Sequence, residues 1–394
     1  MEPGTEPEIK SPAEDRTTSA SDRLPHGESA PYEAYKPDAV EWVLVGPHGL
    51  RAGWSVLLFA ASFYFFRLIL GTLLLSSGVA DEMGIDSATF VLIGALAALV
   101  ALASTAAWIS LVERHRISDY NLADRHLPRH FLSGMASGFA AISLLVGLLI
   151  WGGWLRFGAA ELTGARALGF AATWGCAFLF VGLVEEGLFR CYGLFTLTRG
   201  MNFWCALSAE TAICLFVLLV GGGNGSKGVL MAAGLGLIPC LVLHRRRAGR
   251  SSFWQAAWVT STTFGLYHTQ NSGENWVGIL AAAAIGFVFC VSVRVTGSAW
   301  WAIGCHAAWD WGETYFYGTP DSGLAAQGHY LSTAPAGNAL WSGGADGPEG
   351  SLLAMAVILL LAVFLILAYG RDKLRAGESI DRSDDSAKRP VTRM

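Results

Sequence analysis

Three short motifs combine carboxylates, imidazoles and one arginine in a chain that is otherwise poor in charge. They read VEEGLFR (184–190), FGLYH (264–268) and HAAWD (306–310). Their ionisable residues are Glu185, Glu186, Arg190, His268, His306 and Asp310. Histidine and buried glutamate are the side chains whose pKa proteins most readily set near neutral pH, which acid–base chemistry requires. The collection is therefore suited to activating a water molecule.

Spacing within the motifs predicts different roles for the two adjacent glutamates. Glu186 and Arg190 are four residues apart, so on a helix they share one face and neutralise each other. Glu185 lies about 100° further round the helix and has no such partner. We therefore expect the Glu186–Arg190 pair to be structural and Glu185 to carry the chemistry. His306 and Asp310 also share one helical face.

The elements that carry these motifs are expected to lie in a membrane. The chain has 394 residues, of which 53% are hydrophobic, and only 32 charged side chains fall in the 320 residues 51–370. A water-soluble domain carries about one charged residue in four, so a soluble globular enzyme is disfavoured. The net charge of -4 and the lack of a basic tract interleaved with aromatic residues argue against a nucleic-acid partner.

Ten apolar segments approach the roughly 20 residues that a helix needs to cross a bilayer. We predict them near 54–78, 88–112, 131–155, 168–196, 203–221, 228–243, 252–269, 276–296, 299–316 and 351–370. The predicted fold class is all-α, a polytopic integral membrane helix bundle with about 8–10 transmembrane helices. It forms one transmembrane helical domain at 54–370. Residues 1–53, which include a juxtamembrane segment, and 371–394 are polar and are predicted to be disordered tails.

Loop charge predicts the orientation, because Lys and Arg near helix ends are retained on the cytoplasmic side. Arginines cluster in 114–129 and 245–250, whereas acidic residues dominate 81–86 and 321–349. Both termini are therefore expected to be cytoplasmic. The seven cysteines lie in apolar stretches without CxxC spacing, and we expect them to be small core residues.

Taken in order, the motifs resemble EExxxR, FxxxH and HxxxN or HxxxD of the CPBP or ABI family, which includes the type II CAAX prenyl endopeptidases. The stretch TGSAWWAIGCHAAWDW (296–311) is similar to the family's lead into its last histidine. The stretch ISDYNLADRHLPRHFLSG (117–134) is similar to its N-terminal cytoplasmic segment. The resemblance covers roughly residues 117–312, which would form a CPBP-like core.

Membership of this family implies an intramembrane endopeptidase that hydrolyses a peptide bond of a membrane-associated or lipid-modified protein or peptide. By the resemblance, Glu185 matches the glutamate thought to activate water and His268 the histidine that assists it. His306 and Asp310 match the pair thought to stabilise the oxyanion of the tetrahedral intermediate. Asp310 departs from the frequent Asn, and an ionised Asp cannot donate a hydrogen bond. It would have to be protonated or serve to orient His306.

The resemblance also assigns supporting residues. Glu186 and Arg190 match the paired members of the first motif, and Phe264 is the packing residue of the second. The first two motifs lie farther apart than is typical of the family, and we interpret residues 200–250 as an inserted helical hairpin. An even number of added spans leaves the orientation downstream unchanged. Membrane lipid and a membrane-bound or lipidated peptide or protein are the expected partners.

The cofactor and the function class stay open at this point. No cofactor is certain, although Glu185, His268 and His306 could hold a zinc ion with an open water position. A non-catalytic membrane scaffold or immunity protein of the same fold is one alternative. A proton-coupled transporter that uses the same buried Glu, His and Asp is another. Arg67 and Glu210 lie outside the motifs and are expected to form a helix-to-helix ion pair or to snorkel.

Overall fold

Long apolar runs form the helices of this protein, and short polar or glycine-rich segments separate them. The computed structural model describes residues 43–46, 49–79, 84, 87–220, 225–248, 251–271, 273–325 and 327–370. The tail predicted at 371–394 lies outside the described residues, as does most of the tail predicted at 1–53.

All ten predicted segments are helical. The helices are α1 Ala52–Ser76, α2 Ala88–Glu113, α3 Leu127–Trp151, α4 Gly164–Glu186, α5 Leu194–Gly200, α6 Phe203–Val220, α7 Gly225–Arg245, α8 Ser251–His268, α9 Trp276–Thr296, α10 Trp300–Asp310, α11 Ala339–Ser342 and α12 Leu352–Leu365. Wider π-helical turns follow α4, α10 and α12 at Gly187–Gly193, Trp311–Tyr317 and Ile366–Gly370. Single 3-10 turns lie at Ile117–Asp119 and Pro348–Gly350.

Eight helical segments in the described part of the chain are long and apolar enough to cross a membrane. One of them runs from Gly164 to Gly200 without interruption, through α4, its π-helical turn and α5. The predicted all-α polytopic membrane bundle is thus confirmed. The predicted segments that fall outside this group are α8 and α10 with its π-helical turn. Most residues of α8 and α10 are buried among other helices, so they need not be apolar enough to face lipid.

Two pairs of short strands interrupt the helical pattern. β1 (Val45–Gly46) pairs with β2 (Gly49–Leu50), and β3 (Leu155–Ala160) pairs antiparallel with β4 (Leu331–Pro335). The prediction that the third apolar helix extends to residue 155 is therefore wrong. Helix α3 ends at Trp151 because a glycine pair follows, and Gly153 takes a φ of 76° that favours glycine.

Residues 200–250, predicted as a helical hairpin, include α6 and α7, and these two helices pack against each other. Both helices pack against α8, and α7 also packs against α9. Residues 221–224 lie outside the described residues. Gly236 in α7 packs directly against the indole of Trp258 from α8. A Cβ at position 236 would collide with this ring, so the contact requires glycine.

Two charged residues outside the motifs do not form the predicted ion pair. Arg67 donates a hydrogen bond from its guanidinium to the carbonyl oxygen of Gly94, 3.3 Å away in α2. Glu210 in α6 is buried, and neither carboxylate oxygen has a hydrogen-bond partner among the described residues. Hydropathy places such residues at membrane depth, but their partners depend on how the helices pack.

The cysteines are not all core residues, contrary to the expectation. Four are buried: Cys191, Cys240, Cys290 and Cys305. Cys176 and Cys205 are exposed on the helix bundle, and Cys214 is half-buried. A membrane helix has a lipid-facing side as well as a core-facing side, so apolar sequence surroundings do not distinguish the two.

Glycines bring α3 into backbone contact with α10, the helix that carries the third motif. A Cβ at Gly134 would collide with the carbonyl oxygen of Trp301, and one at Gly138 with the carbonyl oxygen of Cys305. Small residues at helix interfaces allow this close approach in membranes. The position of His306, next to Cys305, therefore depends on the glycine face of α3.

We expect Gly138→Ala to destabilise the protein. The added methyl group meets the carbonyl oxygen of Cys305, and overpacking of this kind costs about 1–3 kcal/mol. Gly147→Ala on the same helix is the matched control, because a Cβ there meets no atom within 4 Å. It should leave stability unchanged or raise it by up to about 1 kcal/mol through helix propensity. Thermal unfolding in detergent measures both, and equal midpoints would contradict the close contact.

Candidate active site

The three motifs meet at one cavity of about 510 Å³ inside the bundle. Glu185 reaches it from the C-terminal end of α4, and His268 from the last turn of α8. His306 and Asp310 line it from α10. The structure thus brings together the four residues predicted to be catalytic, from helices that are far apart in sequence.

His306 lies among three carboxylates, and its two ring nitrogens face different ones. Its Nδ1 is 2.9 Å from Oε1 of Glu186. Its Nε2 is 3.5 Å from Oδ2 of Asp310 and 3.8 Å from Oε2 of Glu185. Since the carboxylate of Glu186 can only accept, Nδ1 carries the proton and the ring orientation is fixed from that side. Nε2 is left facing the cavity.

Glu186 joins the first motif to the third. Its Oε1 also accepts a hydrogen bond of 3.1 Å from the guanidinium of Arg190, and both side chains are completely buried. The pairing at four-residue spacing is therefore present, with the addition of His306 as a second partner. Glu186 thus holds Nδ1 of His306 from one side, while Oδ2 of Asp310 lies 3.5 Å from Nε2 on the other.

Aromatic rings surround the Arg190 guanidinium. It lies 4.2 Å from the ring centroid of Phe264 and 5.3 Å from that of Phe289. Cation–π attraction of this kind partly replaces the hydration that a buried guanidinium loses. Phe264 therefore packs on the ion pair of the first motif. Gly286 leaves room for the guanidinium, which a Cβ at that position would crowd.

Phe289 is a site residue that sequence reasoning missed. Its ring stacks on the imidazole of His306, with centroids 5.8 Å apart and planes at 23°. Helix α9 is apolar along almost its whole length, so no pattern in the sequence distinguishes this phenylalanine from its neighbours. Only the contact with His306 and Arg190 does so.

His268 is oriented by its own helix. Its Nδ1 is 2.8 Å from the backbone carbonyl oxygen of Phe264, which can only accept, so Nδ1 carries the proton. In the neutral ring Nε2 is then a free acceptor. Glu185 lines the same cavity, and its buried Oε2 has no hydrogen-bond partner among the described residues. The two groups face a common space without contacting each other.

A loop before α3 forms hydrogen bonds with the π-helical turn after α4 and with the start of α10. The Asn121 side-chain amide donates to the backbone carbonyl oxygen of Arg190 at 2.8 Å, and the backbone carbonyl oxygen of Asn121 accepts from the backbone N–H of Ala299 at 2.8 Å. Asp124 accepts a hydrogen bond from the Ser298 hydroxyl. These contacts tie the π-helical turn after α4 to the start of α10. They fall within the stretch 117–134 that resembles the family.

Glu185, His268 and His306 do not form a ready zinc site. Zinc ligands lie about 2.1 Å from the ion, so their donor atoms are close together. Oε2 of Glu185 and Nε2 of His306 are 3.8 Å apart, but His268 does not join them. Among the described residues, the three-residue group with all donor atoms within 4.8 Å of one another lies elsewhere. No reaction step is therefore assigned to zinc.

The loops at the mouth of the cavity carry further carboxylates. Burial raises the pKa of Glu274 to about 9, and the neighbouring Asp346 adds to this shift. Burial also raises the pKa of Asp346 to about 8, although the backbone N–H of Asn275 on its carboxylate opposes the shift. The pKa of Asp321 is likewise raised by burial and by the nearby Asp310. A raised pKa favours the protonated form, so these carboxyl groups beside the site carry less negative charge at neutral pH than exposed ones do.

Comparison with known families agrees with this picture over part of the chain. Residues 242–312 match the family model described as type II CAAX prenyl endopeptidase Rce1-like. The matched segment contains FGLYH and HAAWD, whereas VEEGLFR precedes it. No curated protein and no solved structure matches the chain significantly. The resemblance predicted from the motifs is thus confirmed for residues 242–312, which are similar to the Rce1-like domain of the type II CAAX prenyl endopeptidases.

Proposed function

We propose that the protein is an intramembrane endopeptidase that uses a glutamate and a histidine to activate water. The observation that carries the proposal is Oε2 of Glu185, which is buried, has no hydrogen-bond partner among the described residues and lies 3.8 Å from Nε2 of His306. An unsatisfied carboxylate at membrane depth is costly. A water molecule in the cavity would satisfy it, and that water is the nucleophile.

In the first step the water is held between Glu185 and His268. The Glu185 carboxylate takes one proton, while the water oxygen attacks the carbonyl carbon of the scissile peptide bond. The other hydrogen stays on the water oxygen and donates a hydrogen bond to Nε2 of His268, which is an acceptor because the ring's proton on Nδ1 is engaged with the Phe264 carbonyl oxygen. General-base help of this kind contributes about 10²–10⁴ in rate.

The second step needs a donor for the oxyanion that forms on the carbonyl oxygen. We assign it to His306, whose Nδ1 proton is held by Glu186 while Nε2 faces the cavity. As an imidazolium the ring donates from both nitrogens, and the three carboxylates around it balance its charge. The tetrahedral intermediate then collapses. Its C–N bond breaks, and the nitrogen takes the proton held by Glu185.

A second cavity supports an apolar or lipid-modified substrate. It measures about 1580 Å³ and lies beside α1, α6 and α8. Its walls include Phe59, Phe63 and Phe216, and Tyr267 lines it immediately before His268. The hairpin at 200–250 contributes one wall through Phe216. We propose that this space holds the hydrocarbon part of the substrate. We also propose that both termini are cytoplasmic and that residues 54–370 form one transmembrane domain.

Glu185→Gln is expected to reduce cleavage of a lipidated fluorogenic peptide at least about 10²-fold, because the amide cannot accept the water proton. His268→Ala and His306→Ala should also lose most activity. The assay uses purified protein in proteoliposomes, with monodispersity as the control for folding. Cleavage by Glu185→Gln at the parent rate would refute the mechanism, whereas absence of cleavage by the parent protein would favour a scaffold or a transporter.

Substitutions of the two adjacent glutamates should differ in their effect on the free energy of unfolding. Glu186→Gln leaves the buried Arg190 charge without its partner, which costs about 3–5 kcal/mol. Glu185→Gln is the matched variant, and it should keep the parent's unfolding midpoint because Oε2 of Glu185 has no hydrogen bond to lose. Thermal unfolding in detergent compares them. Equal losses in both variants would contradict the assigned roles.

Asp310→Asn should retain cleavage within about tenfold of the parent, because an amide preserves the shape and can donate to the oxyanion. Asp310→Ala should lose more, since nothing then faces Nε2 of His306 from that side. Rates of peptide cleavage by the two variants give the comparison. Inactivity of the Asn variant as complete as that of Glu185→Gln would show that a carboxylate is required at this position.

A further inference from the structure

Three carboxylates outside the proposed chemistry converge beside the catalytic cavity. Glu313, Asp321 and Glu349 each offer an oxygen, and these oxygens all lie within 4.8 Å of one another. None of the three residues takes part in a salt bridge within the described part of the chain. Negative charges this close repel unless they are neutralised by protons or by a cation.

Glu313 gives the independent sign of a missing ligand. The residue is completely buried, and its Oε2 accepts a hydrogen bond of 2.8 Å from the Trp309 indole. Its Oε1 has no hydrogen-bond partner among the described residues. Oε1 of Glu313 lies close to Gly347, because a Cβ on that glycine would be 3.3 Å from this oxygen. Gly347 is followed in the chain by Pro348 and Glu349. A buried carboxylate oxygen with no donor among the described residues thus lies beside the loop of Glu349, whose carboxyl group is within hydrogen-bonding reach of Glu313.

Donors from outside the group hold the other carboxylates in place. The Thr314 hydroxyl donates to Oδ2 of Asp321 at 3.0 Å, and the Ser322 hydroxyl donates to Oε2 of Glu349 at 3.3 Å. One oxygen of each of the three carboxylates is thus engaged by a donor. Hydrogen bonds of this kind orient the ligands at metal sites.

The backbone brings the three segments together. Gly347 has a φ of 106°, and a Cβ at this position would collide with the carbonyl oxygen of Pro320. This close approach sets the loop of Asp321 against the 3-10 turn of Glu349. Glu313 comes from the π-helical turn that follows α10. The carbonyl oxygen of Pro320 adds a neutral oxygen near the same place.

We propose that Glu313, Asp321 and Glu349 form a binding site for a hard divalent cation, and specifically for Ca²⁺. All available donors are oxygens, which calcium and magnesium prefer over softer metals. Calcium holds oxygens at about 2.3–2.6 Å, so ligands on opposite sides of the ion are about 5 Å apart. Three oxygens that all lie within 4.8 Å of one another can therefore share one such ion, and a set of carboxylates with a nearby carbonyl oxygen is typical of calcium sites. Magnesium needs a smaller octahedral shell at about 2.0–2.1 Å.

A cation bound at this site would hold together the loops at the mouth of the cavity. Asp321 and Glu349 line the same cavity as His306 and Asp310. A cation shared with Glu313 ties the loop that follows α10, and the turn that precedes α12, to the helix carrying the third motif. Removing the cation leaves three carboxylates facing one another, which loosens these loops.

The test uses the full-length protein in detergent, stripped with EDTA and then desalted. Titration calorimetry with CaCl₂ should show one ion per chain. Saturating Ca²⁺ should raise the thermal unfolding midpoint by about 4 °C or more, since a ligand bound only to the folded state stabilises it. Asp321→Asn and Glu349→Gln should each weaken Ca²⁺ binding at least about tenfold. In EDTA both variants should unfold at or above the parent's midpoint, because they remove like-charge repulsion.

Glu161→Gln is the control, because Glu161 is a half-exposed carboxylate that pairs with His329 and lies outside the group. It should bind Ca²⁺ as the parent does. Absence of binding and of a thermal shift in the parent would overturn the proposal, as would undiminished binding by Asp321→Asn. Equal shifts with MgCl₂ would overturn the choice of calcium. Because no cleavage is measured, the outcome is independent of the peptidase proposal.

Discussion

The structure of the candidate site depends on one buried charge, the guanidinium of Arg190. A guanidinium at membrane depth must be neutralised and covered, and the chain does so with Glu186 on one side and aromatic rings on the others. Because Oε1 of Glu186 also contacts Nδ1 of His306, the partner that neutralises Arg190 is the group that orients the imidazole. Phe264 and Phe289 cover the same cation, and Phe289 stacks on the imidazole as well.

Because the charged side chains around Arg190 are buried, apolar residues must surround them. Helices α8 and α10, which carry two of the motifs, are the predicted segments that do not qualify as membrane spans by length and hydropathy. They are instead surrounded by other helices of the bundle. The glycines of α3 let it approach α10 closely enough to exclude lipid from that side. Close packing thus takes over the role that a lipid-facing apolar surface has in the outer helices.

The π-helical turns occur where the two motif helices leave the charged side chains around Arg190. One begins directly after Glu186, at Gly187–Gly193, and contains Arg190. Another begins directly after Asp310, at Trp311–Tyr317, and contains Glu313. A wider turn shifts the faces of a helix relative to a regular α-helix, and such turns are frequent at functional sites. Here they direct Arg190 into the bundle and Glu313 towards the loops at the cavity mouth.

The sequence by itself determined the eight segments of the described chain that are long and apolar enough to cross a membrane, because runs of that length are a direct consequence of bilayer thickness. It also predicted the Glu186–Arg190 contact, which helical spacing imposes, and the family resemblance confirmed for 242–312. Only the tertiary structure decided that Glu186 holds His306, that Phe289 covers it, and that Glu313, Asp321 and Glu349 converge. These contacts join segments far apart in the chain. They depend on which faces the helices turn towards one another, and helical periodicity carries no information about that choice when nearly every position is apolar.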